Sequence, residues 1–508
     1  CVAAEKYGDG TNPDWQITPE RIAARVELIL DTLLRIQSNQ SPAGDLKWGY
    51  KGFFYHFVNV ITAEAWTNVE ISSIDTAILV AGALTAGEYF GDTYPDIRTK
   101  ARLIYANVDW NAFLDHTSDD NHDRFHKQWK DGDFRDGYWD YCDESILLYL
   151  LAIGSPDLDH AVSPDTYYSF DRKLGSYGPD GKAVIHSWYG SLFAYQYTNA
   201  FFDLKNKHDA RNADWWNNAV NATIANRQFC IDQDGSFGYD NNVWGLSSAY
   251  KEGETYEGSY GAPPTGTPDG PVHDGFVNPN VVASAIGMLP LEVGEALTFM
   301  KDDPNLWHGN SYGFVNSFKN SSPRLYSQYY VGLDLGASLV MVANYADGGL
   351  IWKNFMKAQT RYIDMNGLLT QLGFRPDSDP EINIDIDDIS AKSQFAYGSV
   401  SSDNPVFRLS FNLAEEAPDG SYLLAIHTFM NNYADNYDAT VNVNVNGSDV
   451  SDQVFSHVKD KPDAIKYIEL DRSLLITGKN SVTLTWKSGA SWVAWSNVEV
   501  SSPIVNNE

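Results

Sequence analysis

The sequence predicts a mainly α protein, in which a helical barrel is followed by a C-terminal β-sandwich. Three observations support this fold class. The 508 residues are too many for one ordinary domain, so a large domain and a smaller one are expected. Apolar residues recur at helical spacing between residues 21 and 365. Beyond residue 389 they alternate with polar residues, as they do in strands.

The predicted helices are separated by long loops, and several begin at capping residues such as Asn278. The helices are expected at 21–38, 71–89, 96–114, 144–153, 191–205, 213–231, 279–288, 291–301, 334–346 and 350–365. So many helices in one domain favour paired hairpins around a common centre. Loops 47–58, 232–270 and 306–318 are rich in Gly, Tyr and Trp, and loops of this length are usually functional. They are expected at one end of the barrel, where they would wall a cleft.

The strand pattern defines a second domain after a linker. Residues 1–20 are expected to be a tether, 21–372 the helical domain, 373–388 the linker and 389–508 the β-sandwich. Strands are predicted at 407–413, 422–429, 439–445, 464–470 and 481–486, with a hairpin turn at Asn446-Gly447. The sandwich is typical of carbohydrate-binding modules, which either bind sugar or brace an enzyme.

The amino-acid composition disfavours several kinds of binding partner and reaction. Lys and Arg number 36 and Asp and Glu 67, so the net charge of −31 disfavours nucleic acids and anionic membranes. Aromatic residues make up 14% of the chain, which suits stacking on sugar rings, although a large aromatic core is the alternative. The chain contains no phosphate-binding glycine loop, nucleophile elbow or zinc-binding helix motif. Phosphoryl transfer, serine hydrolysis and metalloproteolysis are therefore disfavoured.

The three cysteines lie far apart and lack the spacing of a metal or redox site. Cys142 and Cys230 are expected to be buried thiols. Cys1 is consistent with a lipidated cysteine, and an arbitrary chain boundary is the alternative. No apolar run reaches membrane-spanning length, so membrane contact is expected only through such a lipid anchor. The expected location is the periplasm or cell surface of a bacterium, as a lipoprotein.

Three carboxylates, Asp140, Asp143 and Glu144, stand at the start of a very apolar predicted helix, just after Tyr138 and Trp139. Asp140 is three and four residues from the other two, so their charges should interact and raise at least one pKa. A proton donor beside an ionised partner is what cleavage of a glycosidic bond requires. The alternative is that these residues only cap the helix.

A second acidic group consists of Glu70 and Asp75, which flank another predicted helix start and follow Tyr55 and His56. Here too the alternative is capping, by Asp75 itself and by a network that includes Glu70. Further candidates for substrate binding are neutral amides and loop aromatics, which can bond and stack on a sugar. They are Gln196, Asn199, Trp188, Trp244 and Tyr260. Beside the acids, Asp143, Tyr55, His56 and Trp139 are also expected to bind the substrate.

Two acidic segments could hold a structural Ca²⁺. The first is Asp119 to Asp123 with Asp131, Asp133 and Asp136, and the second is Asp385 to Asp388. Neither has a regular ligand loop, so solvated loops are the favoured interpretation and no cofactor is predicted.

Several motifs in the same order resemble the glucoamylase-like family of bacterial glycoside hydrolases. This group includes the endo-β-1,2-glucanases and sophorose-releasing enzymes of glycoside hydrolase family 144. The motifs are Gly52-Phe-Phe-Tyr-His-Phe57, Glu70-Ile-Ser-Ser-Ile-Asp-Thr-Ala77, Trp139-Asp-Tyr-Cys-Asp-Glu144, Leu148-Tyr-Leu-Leu-Ala-Ile-Gly-Ser-Pro156, Arg227-Gln-Phe-Cys-Ile-Asp232, Trp244-Gly-Leu246, Tyr260-Gly-Ala-Pro-Pro264 and Gly332-Leu-Asp-Leu-Gly336.

The resemblance covers most of residues 20–365 and implies an (α/α)6 toroid of six helical hairpins, with the active site at its loop-rich end. It also implies inverting hydrolysis of a β-linked glucan, with acidic positions at Glu70, Asp75, Asp140 and Glu144. One departure concerns Gln196-Tyr-Thr-Asn199, where the family is expected to have Gln-Phe-Ser-His. This change bears on the substrate more than on the reaction. The β-sandwich lies outside the resemblance.

The sequence therefore predicts an inverting glycoside hydrolase acting on an oligo- or polysaccharide, with β-1,2-glucan the leading substrate. Glu144 is the expected general acid, and Asp140 or Asp75 the group that activates water. Glu70 and Asp75 are the natural partners from a neighbouring hairpin. The alternatives are an exo-acting enzyme of the same fold on another linkage and a non-catalytic, glycan-binding surface lipoprotein.

Overall fold

The computed structural model describes most of the helical region and the strands of the C-terminal region. It covers residues 1–2, 6, 18–40, 47–118, 121–135, 137–178, 182–233, 235–309, 312–376, 381–384, 392–394, 398–401, 406–413, 422–429, 437–457, 463–489 and 492–501. Buried apolar side chains form two separate clusters, one between Val2 and Phe374 and the other between Phe407 and Val500. The helical and strand-rich regions therefore each have a core of their own.

Helices dominate the first of these regions. They are α1 (Pro19–Ser38), α2 (Ser73–Phe90), α3 (Pro95–Ala106), α4 (Ser145–Gly154), α5 (Tyr197–Phe201), α6 (Trp215–Asp232), α7 (Pro279–Ser284), α8 (Pro290–Lys301), α9 (Gly332–Ala346), α10 (Leu350–Phe355) and α11 (Met365–Gln371). Side chains cap several of them, as the sequence predicts. Thr18 accepts from Arg21 at the start of α1, and Asn278 accepts from Asn280 at the start of α7.

Helix α4 lies in the centre of the helical core. All ten of its residues are buried, which explains why its sequence is apolar on every side. The Tyr105 hydroxyl donates to the Leu151 carbonyl, 2.6 Å away, and joins α3 to this central helix. The N-terminal end of α4 is therefore held by packing on all sides.

The predicted helix 350–365 is wrong, because the chain turns back between α10 and α11. Thr360 and Asp364 explain the break. The Thr360 hydroxyl donates to the Asp364 carbonyl at 2.9 Å, and the Asp364 carboxylate accepts from the Gly367 amide at 2.8 Å and caps α11. Such local bonds compete with a continuous helix. The predicted helices 96–114 and 191–205 are likewise divided, each into an α-helix and a 3-10 turn, Trp110–Phe113 and Leu192–Tyr195.

Short strands tie the loops of the helical region together. They are β1 (Ile71–Ser72), β2 (Gln128–Lys130), β3 (Asp133–Phe134), β4 (Leu174–Gly175), β5 (Val184–Ile185), β6 (Lys207–His208), β7 (Ala249–Tyr250), β8 (Tyr256–Glu257), β9 (Phe276–Val277), β10 (Trp307–His308), β11 (Gly313–Phe314), β12 (Phe318–Lys319), β13 (Leu325–Tyr326), β14 (Gln359–Thr360), β15 (Ile363–Asp364) and β16 (Arg375–Pro376). Several pair within one loop, as β7 does with β8 and β10 with β11, whereas β12 pairs with both β9 and β13.

The C-terminal region consists of strands in two sheets. The strands are β17 (Glu381–Ile384), β18 (Lys392–Gln394), β19 (Gly398–Ser401), β20 (Val406–Leu413), β21 (Tyr422–Phe429), β22 (Tyr437–Val445), β23 (Ser448–His457), β24 (Asp463–Leu470), β25 (Gly478–Gly489) and β26 (Trp492–Ser501). One sheet has the order β17-β20-β25-β22-β23, and in the other β26 pairs with β18, β19 and β21, which pairs with β24. All five predicted strands lie within these elements.

The predicted hairpin at Asn446-Gly447 joins β22 to β23. Its two turn residues have φ of 50° and 87°, the left-handed conformation that such a two-residue turn requires. Strands β23 and β26 are additional to the predicted ones. They are long, and side chains of both sheets share one buried core.

Two of the described N-terminal residues, Val2 and Lys6, contact the helical region. Val2 is buried in the helical core, and Lys6 forms an ion pair with Asp347 at 3.6 Å. Both contacts place the first residues against the helical region. None of the described helices combines the length and the apolar character needed to cross a bilayer.

An apolar cavity of about 390 Å³ lies between α1, α2, α9 and α10. Its described lining is almost entirely aliphatic and includes Leu30, Leu79, Ala83, Leu339 and Ile351. No carboxyl group lines the described part of the cavity. A sugar needs polar groups to fix its hydroxyls, so the chemistry must be sought elsewhere.

A buried ion pair joins the segment after α4 to the turn before α6. The Arg172 guanidinium donates to the Asp209 carboxylate at 2.7 Å, and both side chains are almost fully buried. Asp209 also accepts from the Tyr167 hydroxyl at 3.0 Å. The guanidinium lies about 5 Å from the centres of four aromatic rings, those of Tyr167, Tyr168, Phe170 and Trp215.

Candidate active site

His56 links the two acidic residues at the start of α2. Its Nδ1 lies 2.7 Å from Glu70 Oε1, and its Nε2 lies 3.5 Å from Asp75 Oδ2. Burial opposes ionisation of Glu70, but the bond to His56, a backbone bond and the charges of His56 and Lys130 together outweigh it and lower the pKa of this carboxyl. Glu70 is therefore an anion that holds one side of the imidazole.

Asp75 is fixed by a reciprocal contact with Ser72. The Ser72 hydroxyl donates to Asp75 Oδ2 at 2.6 Å and accepts from the Asp75 amide at 3.2 Å. Ser72, not Asp75, is therefore the capping residue of α2, and Asp75 stands in the first turn. Its carboxylate is half-buried and faces His56.

The start of α2 is bound to the segment that leads into α4. Strand β1 pairs with β2, and the Ser73 hydroxyl donates to the His126 and Lys127 carbonyls at 2.9 and 3.0 Å. Ser73 also accepts from Trp139 Nε1 at 2.9 Å. Glu70 and Asp75 are thus brought close to the acidic residues at the start of α4, as expected for neighbouring hairpins.

The three acids before α4 differ in their contacts. Asp143 Oδ1 accepts from both the amide and the hydroxyl of Ser145, so Asp143 satisfies the amide of the first residue of α4. Asp140 and Glu144 are both half-buried, and Glu144 stands directly at the first turn of α4. A helix-start contact of this kind therefore accounts for Asp143 and leaves the other two carboxyls available.

Burial raises the pKa of Glu144, and the charges of Asp143 and Asp75 raise it further, while Lys127 acts in the opposite sense. The pKa of Asp143 is also raised, chiefly by burial, but its bonds from Ser145 favour the ionised form. In this pair Glu144 is consequently the group that keeps its proton. Its side chain is still partly exposed although protein surrounds it, which is the situation of a group deep in an open cleft.

A third helix start contributes Asp334, which the sequence did not single out as a site residue. This carboxyl is 5% exposed and accepts from Asn316 Nδ2 at 2.6 Å. Burial raises its pKa to about 6, although bonds from Asn278 and Asn316 favour the anion. Asp334 stands in the first turn of α9 just after Tyr329 and Tyr330, which repeats the pattern of Tyr138, Trp139 and the α4 acids. That pattern could have identified it.

Two tyrosines show that the three helix starts converge. Burial and the charges of Asp334, Asp75 and Glu144 raise the pKa of Tyr197. Burial and the charges of Asp334 and Glu144 also raise that of Tyr256, to about 12. Tyr256 is 53% exposed, and it belongs to the loop 232–270 that was expected to wall the cleft. Carboxyls from α2, α4 and α9 therefore lie near one another, and the site that they form is called the cleft below.

The aromatic candidates fall into two groups. Trp188 is 39% exposed and lies edge-on to Tyr141 with ring centres 5.2 Å apart, so it is accessible to a ligand. Tyr55 and Trp139 are buried beneath the acidic residues. The Lys127 ammonium lies 4.8 Å from the Trp139 ring, and Trp139 therefore supports the cleft from below.

Gln196 and Asn199 do not face the cleft, which corrects the expectation that they bind sugar hydroxyls. Both are almost fully buried. Gln196 Nε2 donates to the Val281 carbonyl at 2.8 Å, and Asn199 Nδ2 donates to the carbonyls of Tyr195 and Trp215 at 3.0 and 3.2 Å. Their amides satisfy backbone carbonyls inside the core.

Trp244 and Tyr260 also lie in the core and correct the expectation of loop aromatics at the site. They are 0% and 1% exposed. Trp244 can pack this closely because the next residue is Gly245, which has a left-handed conformation and lies against Asn278 and Val282. Trp188 and Tyr256 are among the loop aromatics that are accessible instead.

Metal binding finds no support among the residues that the structure describes, where no group of three or more His, Cys, Asp or Glu side chains could hold an ion. The two calcium candidates fall partly or wholly outside those residues. Asp119, Asp120, Asp136 and Asp385 to Asp388 are not described.

Comparison with known proteins finds one family that is similar to part of the helical region. Residues 136–359 match the family described as "Putative glucoamylase". This stretch contains the acids of α4 and Asp334. The resemblance predicted from the motifs is thereby confirmed.

One curated relative carries a more specific name than the family. An exo β-1,2-glucooligosaccharide sophorohydrolase (non-reducing end) of Parabacteroides distasonis is 25% identical over 326 residues, which are 56% of this chain and 41% of the relative. The chain thus spans about two fifths of the length of that curated relative.

Two solved structures resemble the fold. The endo-β-1,2-glucanase of Chitinophaga pinensis, in complex with sophorotriose and glucose, has a TM-score of 0.59 at 21% identity, over 74% of this chain and 86% of the other. The β-1,2-glucanase of Parabacteroides distasonis has a TM-score of 0.57 at 21% identity, over 73% of this chain and 53% of the other. Both likenesses concern the fold alone.

Proposed function

We propose that this protein is a glycoside hydrolase that cleaves β-glucan, with β-1,2-linked glucan or its oligosaccharides as substrate. The observation that carries the proposal is the convergence of three helix starts on one cleft, where Glu144 holds a proton beside the carboxyls of Asp75, Asp143 and Asp334. Crowded carboxyls are costly in a protein that only binds neutral sugars, so they favour an enzyme over a glycan-binding protein.

Glu144 acts as the general acid in the proposed reaction. Its proton passes to the glycosidic oxygen as the bond to the anomeric carbon breaks. A water molecule attacks that carbon from the opposite face and gives its proton to a carboxylate. The proton then returns to Glu144, so that no net charge accumulates over the cycle.

The base comes from another helix in this proposal. Inversion requires the two carboxyls to stand roughly 6.5 to 9.5 Å apart, so that a water molecule fits between the base and the sugar. Asp140 shares a helix start with Glu144 and leaves less room. Asp75, held by Ser72 and His56, and Asp334, held by Asn316, approach from α2 and α9.

The names of the relatives support β-1,2-glucan as the substrate but differ in the mode of action. The curated relative is an exo-acting sophorohydrolase, whereas the glucanase of Chitinophaga pinensis is endo-acting. The size of the products from a long glucan separates the two modes. A sophorose product throughout the time course indicates exo action, and a ladder of oligosaccharides indicates endo action.

The finer architecture belongs to the same proposal. We infer that the helices form an (α/α)6 toroid with the cleft at its loop-rich end, and that the two C-terminal sheets form a β-sandwich like those of carbohydrate-binding modules. The separate cores support this division. A cell-surface or periplasmic location would place such an enzyme where external glucans occur.

The first experiment is incubation with linear β-1,2-glucan, laminarin and starch, with the anomeric form of the product followed by NMR. Release of the α-anomer from the β-1,2-glucan supports inversion, and no release from this glucan refutes the substrate. Glu144→Gln should lower kcat about a hundredfold or more, because it removes the acid proton. Glu295→Gln, on the exposed face of α8, is the matched control. Activity of Glu144→Gln within a few-fold of the control would refute the assignment of the acid.

A further inference from the structure

A short hairpin beside the cleft presents apolar side chains to solvent. It comprises residues 57–66, directly after His56, and is called the 57–66 hairpin below. Phe57 and Trp66 are 53% and 56% exposed, and Val60 and Ile61 at the tip are 95% and 90% exposed. Exposed apolar groups this close together mark an interaction site more often than a chance surface.

The hairpin is held in a defined shape. The Trp66 amide donates to the Phe57 carbonyl at 3.0 Å, and the Asn59 amide donates to the Glu64 carbonyl at 2.9 Å. At the tip, Asn59 Oδ1 accepts from the amides of Ile61 and Thr62 at 2.9 and 3.2 Å. The exposure of the apolar side chains is therefore built into a fixed turn.

Phe57 and Trp66 lie opposite each other on the two arms. Val58 and Ala65 form a bridge next to them, which places Phe57 and Trp66 as a directly paired position. Side chains at such a position point to the same face of the hairpin. Two half-exposed aromatic rings thus share one face.

The aromatic face is continuous with the acidic cleft. The Phe57 ring stacks on the His56 ring, with centres 4.2 Å apart and planes at 18°. His56 in turn bonds Glu70 and lies against Asp75. His56 covers one face of the Phe57 ring. The other face can contact a ligand that extends from the cleft.

We propose that Phe57 and Trp66 form an aromatic platform that binds the glucan chain where it leaves the cleft. This inference rests on the proposed function, and it assigns to that site a further binding element. Flat rings with an exposed face suit the apolar faces of glucose units. A neutral glucan also fits the charge, because a second copy of this chain would bring another −31 toward Glu64 and Glu70.

The test compares Phe57→Ala and Trp66→Ala with Tyr345→Ala on long β-1,2-glucan. Tyr345 is the matched control, because it is an aromatic residue with 53% exposure that lies toward the far end of α9 from Asp334. Each platform variant should raise KM about two- to tenfold, the range for loss of one aromatic stacking contact, with kcat unchanged. Tyr345→Ala should leave both constants unchanged. Thermal unfolding verifies that all three variants are folded.

A binding measurement tests the aromatic platform without hydrolysis of the glucan. In gels that contain the same glucan, Glu144→Gln protein should be retarded, and adding Phe57→Ala or Trp66→Ala should weaken the retardation. Unchanged KM and unchanged retardation in both variants would overturn the platform. So would variants that alter only the sedimentation coefficient, since this result would show self-association through the hairpin.

The two proposals can fail separately. Wild-type protein that is retarded by the glucan but does not hydrolyse it would refute the proposed function, and loss of retardation in the two variants would still support the platform. Hydrolysis with no effect of either variant would refute the platform alone. Neither hydrolysis nor retardation would refute both.

Discussion

Replacing Asp143 by Asn should lower the pKa of Glu144 and shift the pH dependence of catalysis. The negative charge of Asp143 is the largest electrostatic contribution that keeps the proton on Glu144, after burial. Two unit charges roughly 6 Å apart at an effective dielectric constant of about 20 interact by about 3 kcal/mol, and partial exposure reduces this value. A shift of about one pH unit is therefore expected, which corresponds to about 1.4 kcal/mol.

The assay is kcat/KM against pH on β-1,2-glucan. Activity of the wild type falls at alkaline pH as Glu144 loses its proton, so the alkaline limb of Asp143→Asn should lie about one unit lower. Asn can still accept the bonds from Ser145 at the start of α4. Asp96→Asn, the same change at an exposed first-turn residue of α3, is the control and should leave the limb in place. An unmoved limb in Asp143→Asn would refute the electrostatic argument.

Two further predictions concern stability. Asp334→Asn should raise the free energy of unfolding by about 1–3 kcal/mol at pH 8 but not at pH 4. The reason is that the pKa of Asp334 is raised in the folded protein, so the wild type loses stability as pH rises from about 4 to 6. An equal effect in urea unfolding at both pH values would contradict this. Arg172→Met leaves the Asp209 charge buried and should cost about 3–5 kcal/mol. Arg135→Met breaks an exposed pair with Asp131 and should cost less than about 1 kcal/mol. Similar losses in the two variants would show that burial of the first pair is unimportant.

The sequence predicted the helix starts that build the cleft because they combine two strong signals. Apolar periodicity located α2 and α4, and acidic residues at their first turns indicated the chemistry. The family resemblance added the link between them. The structure shows how the two helix starts are joined. Ser73 bonds to the segment before α4, and His56 bridges Glu70 and Asp75.

Hydrophobic periodicity does not show where a side chain points when a helix is buried on every side. In such surroundings an amide can bond either a ligand or a backbone carbonyl, and spacing does not distinguish the two. Gln196 and Asn199 bond carbonyls, and Trp244 and Tyr260 fill the core. Asp334 carries the same signal as the acids before α4, a first-turn acid after an aromatic pair, and is predictable from that pattern.

The origin of the carboxyls in three separate helices has a consequence for heat inactivation. Burial and the charges of Asp143 before α4 and of Asp75 in α2 keep the proton on Glu144, and Asp334 in α9 completes the acidic cluster. Fraying of the first turn of any one helix would disperse the cluster while the core around α4 stays folded, since helix ends open more easily than buried centres. Loss of activity on warming should therefore precede loss of helical signal. The protein's working temperature would be set by its least firmly held helix end and not by the stability of its core.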